Sequence, residues 1–365
     1  MGKGKINVGV IGVGNCFSGL YQGLQYYRTH TLDDAAGLMH PVLGGYTLDD
    51  INFVSAFDVD EKKVGKNLNE AAYTWPNEVK WVEKEKMPKS AVKVQEAPVL
   101  DGLGIYIQER VKPIQNKPLE QLNADIKKHI EETDTRVLLS YLPVGSQKAA
   151  RYWAQMALDT HCAFVNCMPE FIASDEAWAK RFEQAGLPIL GDDIKAQVGS
   201  TIVHRTLARL CDERGAIIEK TYQINVGGNT DFLNMKEQGR LVSKRISKTE
   251  SVQSQLKKRL ADDKIYVGPS DFIPFLSNTK LGFMRIEGRM WADVPFNMEV
   301  RLEVDDKANS GGISVDAIRC ARIALDRGLK GYIEGPSAYF MKHPPKQYSD
   351  PVARQMTEDF INGKA

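Results

Sequence analysis

A run of small and branched apolar residues, Ile6-Asn7-Val8-Gly9-Val10-Ile11, empties into Gly12-Val13-Gly14-Asn15-Cys16 and then into a helix-like stretch from Cys16 to Tyr27. Few sequence features constrain a fold as tightly. A strand that must turn sharply into a helix needs a residue tolerant of unusual backbone angles at Gly12. A second position without a side chain, Gly14, lets a diphosphate approach the backbone. The helix start then offers amide donors and a partial positive charge. Phe17 stands where the third glycine of the dinucleotide fingerprint belongs, so an ordinary tight strand-to-helix connection is the competing reading.

The rest of the chain follows that opening. Apolar runs Asn52–Phe57, Arg136–Leu142, Ala163–Cys167 and Leu187–Leu190 alternate with helical patterns such as Ser146–Thr160 and Ser174–Ala185. Short runs that are apolar along their whole length fit strands covered on both faces, and their alternation with helices fits a doubly wound parallel sheet of Rossmann type. Residues 28–50 and 74–116 interrupt the rhythm and read as insertions beside the sheet. After Gly215 the period changes. Met298, Val300, Leu302 and Val304 alternate with Glu299, Arg301, Glu303 and Asp305, which predicts a second, α+β domain with a largely antiparallel sheet. A closing helix, Ser314–Arg327, is expected to pack back on the first lobe. The expected division is residues 1–222 plus 310–365 for the nucleotide domain and 223–309 for a catalytic and oligomerisation domain.

Bulk properties exclude several classes. With 42% hydrophobic and 26% charged residues and a formal charge of +1, the chain has no global field that favours nucleic acid or a membrane surface. Five cysteines without paired spacing argue against a disulfide framework or a zinc knuckle and suit a reducing, cytoplasmic setting. The opening Met1-Gly2-Lys3-Gly4-Lys5 leads into an apolar run too short for a signal peptide, and no run approaches the roughly 18 apolar residues that span a bilayer.

Candidate site residues cluster after the strands, where ligands of open α/β sheets bind. Asp58 ends the second run and either accepts hydrogen bonds from a ribose, favouring NAD, or caps the next turn. Ser140, Leu142, Pro143 and Ser146 offer amides and hydroxyls for a cofactor or a plain helix cap. Asp192, Asp193 and Lys195 crowd opposite charges at a strand end before Gln197, Gly199 and Ser200 open another helix. Lys244 and Lys248 lie four apart, on one helical face, suited to a phosphate or a sugar oxygen; a solvated basic stripe is the bland alternative. Asn229 and Asp231 follow a glycine pair. Spacing alone says nothing about Lys280, Asp306 or Lys342. His161, Cys162 and Cys167 match no zinc pattern and read as core.

Taken in order, Gly12-Val13-Gly14-Asn15, Ser140–Ser146, Gly191-Asp192-Asp193-Ile194-Lys195, Gly228-Asn229-Thr230-Asp231 and Ser243-Lys244-Arg245-Ile246-Ser247-Lys248 resemble the myo-inositol-1-phosphate synthases, in their shorter prokaryotic branch, from near residue 6 to near residue 360. The resemblance implies NAD, held by Gly12, Gly14, Asn15, Cys16, Asp58, Ser140, Leu142, Pro143, Ser146 and Asp192. It implies cyclisation of glucose 6-phosphate to an inositol phosphate through oxidation, enolisation, aldol closure and re-reduction, with the catalytic set Lys244, Lys248, Lys280, Lys342, Asp306 and Asp193. Lys195, Gln197, Gly199, Ser200, Asn229 and Asp231 would hold the sugar phosphate. A homotetramer is implied, and a divalent cation accompanies some members of the family. The segment Ala196-Gln197-Val198-Gly199 departs from the Ser-Gly-Gln-Thr phosphate loop of eukaryotic members. A dehydrogenase with net hydride transfer to a sugar or amino-acid derivative is the alternative.

Overall fold

The computed structural model describes residues 4–30 and 35–364. The expected leaderless start at Met1–Lys3, and residues 31–34 of the first insertion, lie outside them. In chain order the first lobe contains β1 (Ile6–Ile11), α1 (Asn15–Arg28), β2 (Ile51–Asp58), α2 (Leu68–Ala71), β3 (Val94–Glu96), α3 (Leu119–Glu132), β4 (Val137–Ser140), α4 (Gln147–Asp159), β5 (Ala163–Asn166), α5 (Glu176–Gln184) and β6 (Pro188–Leu190). The second lobe follows with α6 (Ser200–Glu213), β7 (Ile217–Gly227), α7 (Thr230–Asn234), α8 (Val242–Gln253), β8 (Ile265–Phe272), β9 (Thr279–Arg289) and β10 (Pro295–Asp305). The chain then returns through α9 (Ala308–Asp326), β11 (Gly331–Tyr332), α10 (Glu334–Phe340) and α11 (Asp350–Ile361).

Seven parallel strands form the first sheet in the order β11-β6-β5-β4-β1-β2-β3. The order reverses beside β1, which opens a crevice at the carboxyl ends of the strands. Side chains alternate between two cores. Val137 and Leu139 of β4 join Val8 and Val10 beneath α1 and α9, while Leu138 joins Phe164 and Ile189 beneath α3 and α4. Both faces are buried, and for that reason the strands are continuous apolar runs.

The second sheet has the order β10-β9-β7-β8; its β10/β9 and β9/β7 pairs are antiparallel and its β7/β8 pair is parallel. Helices α6 and α8 cover one face, burying Ala208, Cys211 and Val252 against Ile218, Ile265, Val267 and Ile286. Tyr222, Ile224 and Tyr266 are exposed. Residues 222 and 223, where the expected lobe boundary fell, are neighbours within β7, and residues 309 and 310 lie within α9.

Some local expectations change. The hydroxyl of Ser146 donates to the Pro143 carbonyl and does not cap α4. Asp101, from the second insertion, takes over by accepting from Lys148 N at 2.6 Å and Ala149 N at 3.0 Å. Asp175 caps α5. Helix α9 begins at Ala308, before the expected Ser314, because Gly311 and Gly312 are helical: a Cβ on Gly312 would lie 2.0 Å from the Gly37 carbonyl, so glycine here permits close packing and ends nothing. The same first insertion is tied down by His40, whose ring nitrogens lie 2.6 Å from Asp316 Oδ2 and 3.0 Å from Glu358 Oε1.

Candidate active site

The glycine turn is built as its sequence requires. Gly12 has φ +89°, its amide donates to the Phe57 carbonyl at 2.8 Å, and a Cβ there would lie 2.7 Å from the Tyr141 carbonyl oxygen. Gly14 caps α1 with nothing within 4 Å of its missing Cβ. The first turn of α1 holds no acidic residue and no side-chain cap, and Gly14, Asn15 and Cys16 line the cleft. Phe17 fills the third glycine position by packing edge-on against Phe53 at 5.0 Å. Close approach has moved to Gly19, which lies against Trp81 and Lys307.

Asp58 caps the turn that follows β2, one of the two readings the sequence offered. Its Oδ2 accepts from Val13 N at 2.8 Å, its Oδ1 caps Val59 N and Asp60 N, and it lines the cleft. Lys63 and Asn77, which sequence reasoning missed, brace the turn by donating to the Val13 carbonyl at 2.9 and 3.0 Å. The second insertion supplies an apolar wall that includes Pro98, Val99, Leu103 and Ile107.

Leu142 and Pro143 line the cleft, but three polar residues expected beside them do not. Ser140 is fully buried at a strand end, with no partner for its hydroxyl. Ser146 is turned onto Pro143. Asp192 points back into the first lobe, accepting from Ile172 N, Ala173 N, Ser174 N and Oγ, and Asn166 Nδ2 at 2.7–3.1 Å. Burial pushes its pKa to about 6 against those bonds. Its task is to hold the loop after β5; its neighbour Asp193 faces the opposite way.

That neighbour organises the lysine wall. Asp193, at φ +63°, accepts from Lys342 Nζ at 2.7 Å and Ser247 Oγ at 2.6 Å. Burial alone would raise its pKa, but Lys342 and Lys244 outweigh burial and hold it below the usual carboxylate range. Asp306 accepts from Lys280 at 3.1 Å and Lys307 at 2.8 Å, while Lys244 sits 3.5 Å from Asp231. Lys248 is buried among these cations. Burial first, then Lys244, Lys280 and Lys342, lower its pKa well below that of an ordinary lysine, with Asp193 opposing. The wall therefore offers fixed ammonium groups around one amine biased toward neutrality, the combination that proton transfer and oxyanion stabilisation require. Lys307, which neither spacing nor the resemblance singled out, is 3% exposed. Burial lowers its pKa, but Asp306, Cys16 and Asp231 together outweigh burial and hold it above that of an ordinary lysine.

The expected substrate residues divide. Gly199, Ser200 and Asp231 line the cleft. Ser200 Oγ is buried without a partner at the start of α6, and both amide atoms of nearby Asn225 are likewise unpaired. Lys195 reaches the cleft with its stem, but its ammonium donates to the Ala338 carbonyl at 2.8 Å and Asp350 at 3.3 Å; burial, then Arg205, lower its pKa to about 7. Gln197 instead donates to the Gly37 carbonyl, and Asn229 caps α7 through Asp231 N. Among the described residues no group of three or more His, Cys, Asp or Glu side chains is arranged to hold a metal ion, and no helix is long and apolar enough to cross a membrane.

A Rossmann-order sheet whose glycine turn faces an ion-paired lysine wall, carried by a second lobe with a mixed sheet and by the returning segment, defines a class of two-lobed α/β proteins. Within that class the relatives are specific. A family model described as myo-inositol-1-phosphate synthase matches residues 199–307, the stretch that contributes most of the lysine wall. The inositol-3-phosphate synthase of Mycolicibacterium smegmatis is 49% identical over 365 residues, 99% of each chain, and that of Corynebacterium glutamicum is 45% identical over 367 residues, again 99% of each. A myo-inositol-1-phosphate synthase-related protein from Thermotoga maritima has the same fold, with a TM-score of 0.81 at 22% identity over 98% of each chain. The chain belongs to the myo-inositol-1-phosphate synthase family.

Proposed function

We propose that the protein cyclises glucose 6-phosphate to an inositol phosphate, with NAD as a hydride carrier that ends the cycle unchanged. The observation that carries this reading is the convergence of Lys244, Lys248, Lys280 and Lys342 on the crevice that follows Gly14. The turn suits a dinucleotide because Gly12 holds a positive φ, Gly14 leaves open space, and α1 begins without an acid. Bound NAD supplies one chemical service, taking a hydride from C5 of the open-chain sugar and returning it at the end.

The protein's own groups do the rest. The amine of Lys248 accepts a proton in the enolisation that follows C5 oxidation, since its surroundings disfavour the charged form. Lys280 and Lys342, each fixed by a carboxylate, stabilise the oxyanions that develop as C6 closes onto the C1 aldehyde. The closing C6–C1 bond leaves an alkoxide that takes up a proton, so atoms and electrons balance without net oxidation. The phosphate is held at the start of α6, where the unpaired Ser200 hydroxyl and first-turn amides meet no acidic residue. We further propose that copies associate through the exposed face of the second sheet, around Tyr222, Ile224 and Tyr266, in a tetramer.

Phosphorus NMR of purified protein incubated with glucose 6-phosphate and NAD, read alongside absorbance at the NADH band, tests the reading. Inositol phosphate should appear without accumulating NADH. NADH formed in step with a single oxidised product would overturn it and point to a net dehydrogenase.

A further inference from the structure

Lys307 stands apart from the lysines that face the sugar. It is the first residue past Asp306 and caps α9, yet its side chain runs away from its own sheet and lies across α1 of the other lobe. The missing Cβ of Gly19 makes room: a Cβ there would come within 3.3 Å of Lys307 Cβ and 3.4 Å of its carbonyl oxygen. At the end of that path the ammonium reaches Cys16 Sγ at 3.7 Å, in the first turn of α1, while also donating to Asp306 Oδ2 at 2.8 Å.

An ammonium has three donors, and these partners occupy two of them. Cys16 belongs to the first turn of α1, which has no side-chain cap, and the space over Gly14 is open. Charge also favours an anion here. The ammoniums of Lys244, Lys280, Lys307 and Lys342 face the carboxylates of Asp193, Asp231 and Asp306, a surplus of one positive charge inside a buried cleft. A merely structural lysine would need only Asp306. A side chain that crosses between lobes to stop at the anion-ready end of a helix has a second use.

We infer that Lys307 binds the diphosphate of the dinucleotide from the opposite lobe, so that the lobe carrying the lysine wall is fastened directly to the cofactor. This rests on the NAD reading above. Asp306 links the two events: its other oxygen holds Lys280, so cofactor binding at Lys307 and sugar binding at Lys280 share one carboxylate.

Calorimetric titration of the full-length protein with NAD, ADP-ribose and adenosine separates the possibilities. In Lys307→Met, NAD and ADP-ribose should weaken at least about tenfold, the worth of one charge-assisted hydrogen bond, with adenosine unchanged. Lys307→Arg, which keeps the charge, should recover most of the NAD affinity, and its melting temperature guards against misfolding of the Met variant. Equal affinities in wild type and Lys307→Met, or equal weakening of all three ligands, overturns the inference while leaving the NAD reading intact. Wild-type protein that binds none of the three overturns both.

Discussion

The hydroxyl of Ser247 donates to Oδ2 of Asp193 at 2.6 Å, and this bond joins the lysine helix of the second lobe to the loop after β6 in the first. The other carboxylate oxygen holds Lys342 at 2.7 Å. One buried acid thus sets the spacing between the cations on α8 and the cation of the returning segment.

Asp193→Asn removes the charge and leaves Lys342 unpaired in a buried site, whereas Ser247→Ala removes only the inter-lobe bond. We expect kcat to fall by at least about a hundredfold in the first and about tenfold in the second. Steady-state kinetics with glucose 6-phosphate checks this order; equal effects would mean that Asp193 acts only as a clamp.

Lys248→Met should reduce kcat by about a hundredfold to ten thousandfold, the usual worth of a general base, with NAD affinity preserved. The pH profile carries the sign. A lysine whose pKa is lowered works in its neutral form, so wild-type activity falls as the pH drops through that lowered value. The variant's residual activity should lack this acid limb; an unchanged limb would assign the proton transfer to another group.

Gly12→Ala places a side chain at φ +89°, with its Cβ 2.7 Å from the Tyr141 carbonyl. Strain of this kind costs about 1–3 kcal/mol. The turn should shift, lowering the melting temperature by several degrees and weakening NAD more than it weakens glucose 6-phosphate.

His40 should make stability depend on pH. Its bond to Asp316, and then that to Glu358, raise its pKa against burial; Arg319 pairs with Asp316 and donates to the His40 carbonyl, and Tyr339 lies nearby. A histidine raised in the folded state contributes stability that is complete below its unfolded pKa of about 6.5 and is lost as pH rises through the folded value. In urea titrations His40→Gln should therefore cost about 1–3 kcal/mol at pH 6 and much less at pH 9. A cost independent of pH would show that the ring acts by packing alone.

What could be read from the sequence was local. The β1 turn, the strand ends and the period-two run of β10 each carry their signal within about ten residues, and residue order alone was enough to connect them. Ser140, Ser146 and Asp192 lie off the cleft because position after a strand gives proximity but not direction: Ser146 turns onto a backbone carbonyl, Asp192 onto a neighbouring loop, and Ser140 is buried without a partner. Lys307, Lys63 and Asn77 were invisible for the opposite reason. Their partners, Cys16 and the Val13 carbonyl, lie 50 to 291 positions away, and no spacing rule reaches that far. The three-residue β3 is too short to show a period at all.

In the proposed reaction a hydride leaves C5 and returns to it within one cleft. Glucose 6-phosphate deuterated at C5, turned over with unlabelled NAD, tests this most directly by mass spectrometry of the inositol phosphate. Product should retain the deuterium at that carbon, with no labelled NADH released. Product carrying hydrogen there, or deuterium accumulating in free NADH, would contradict it.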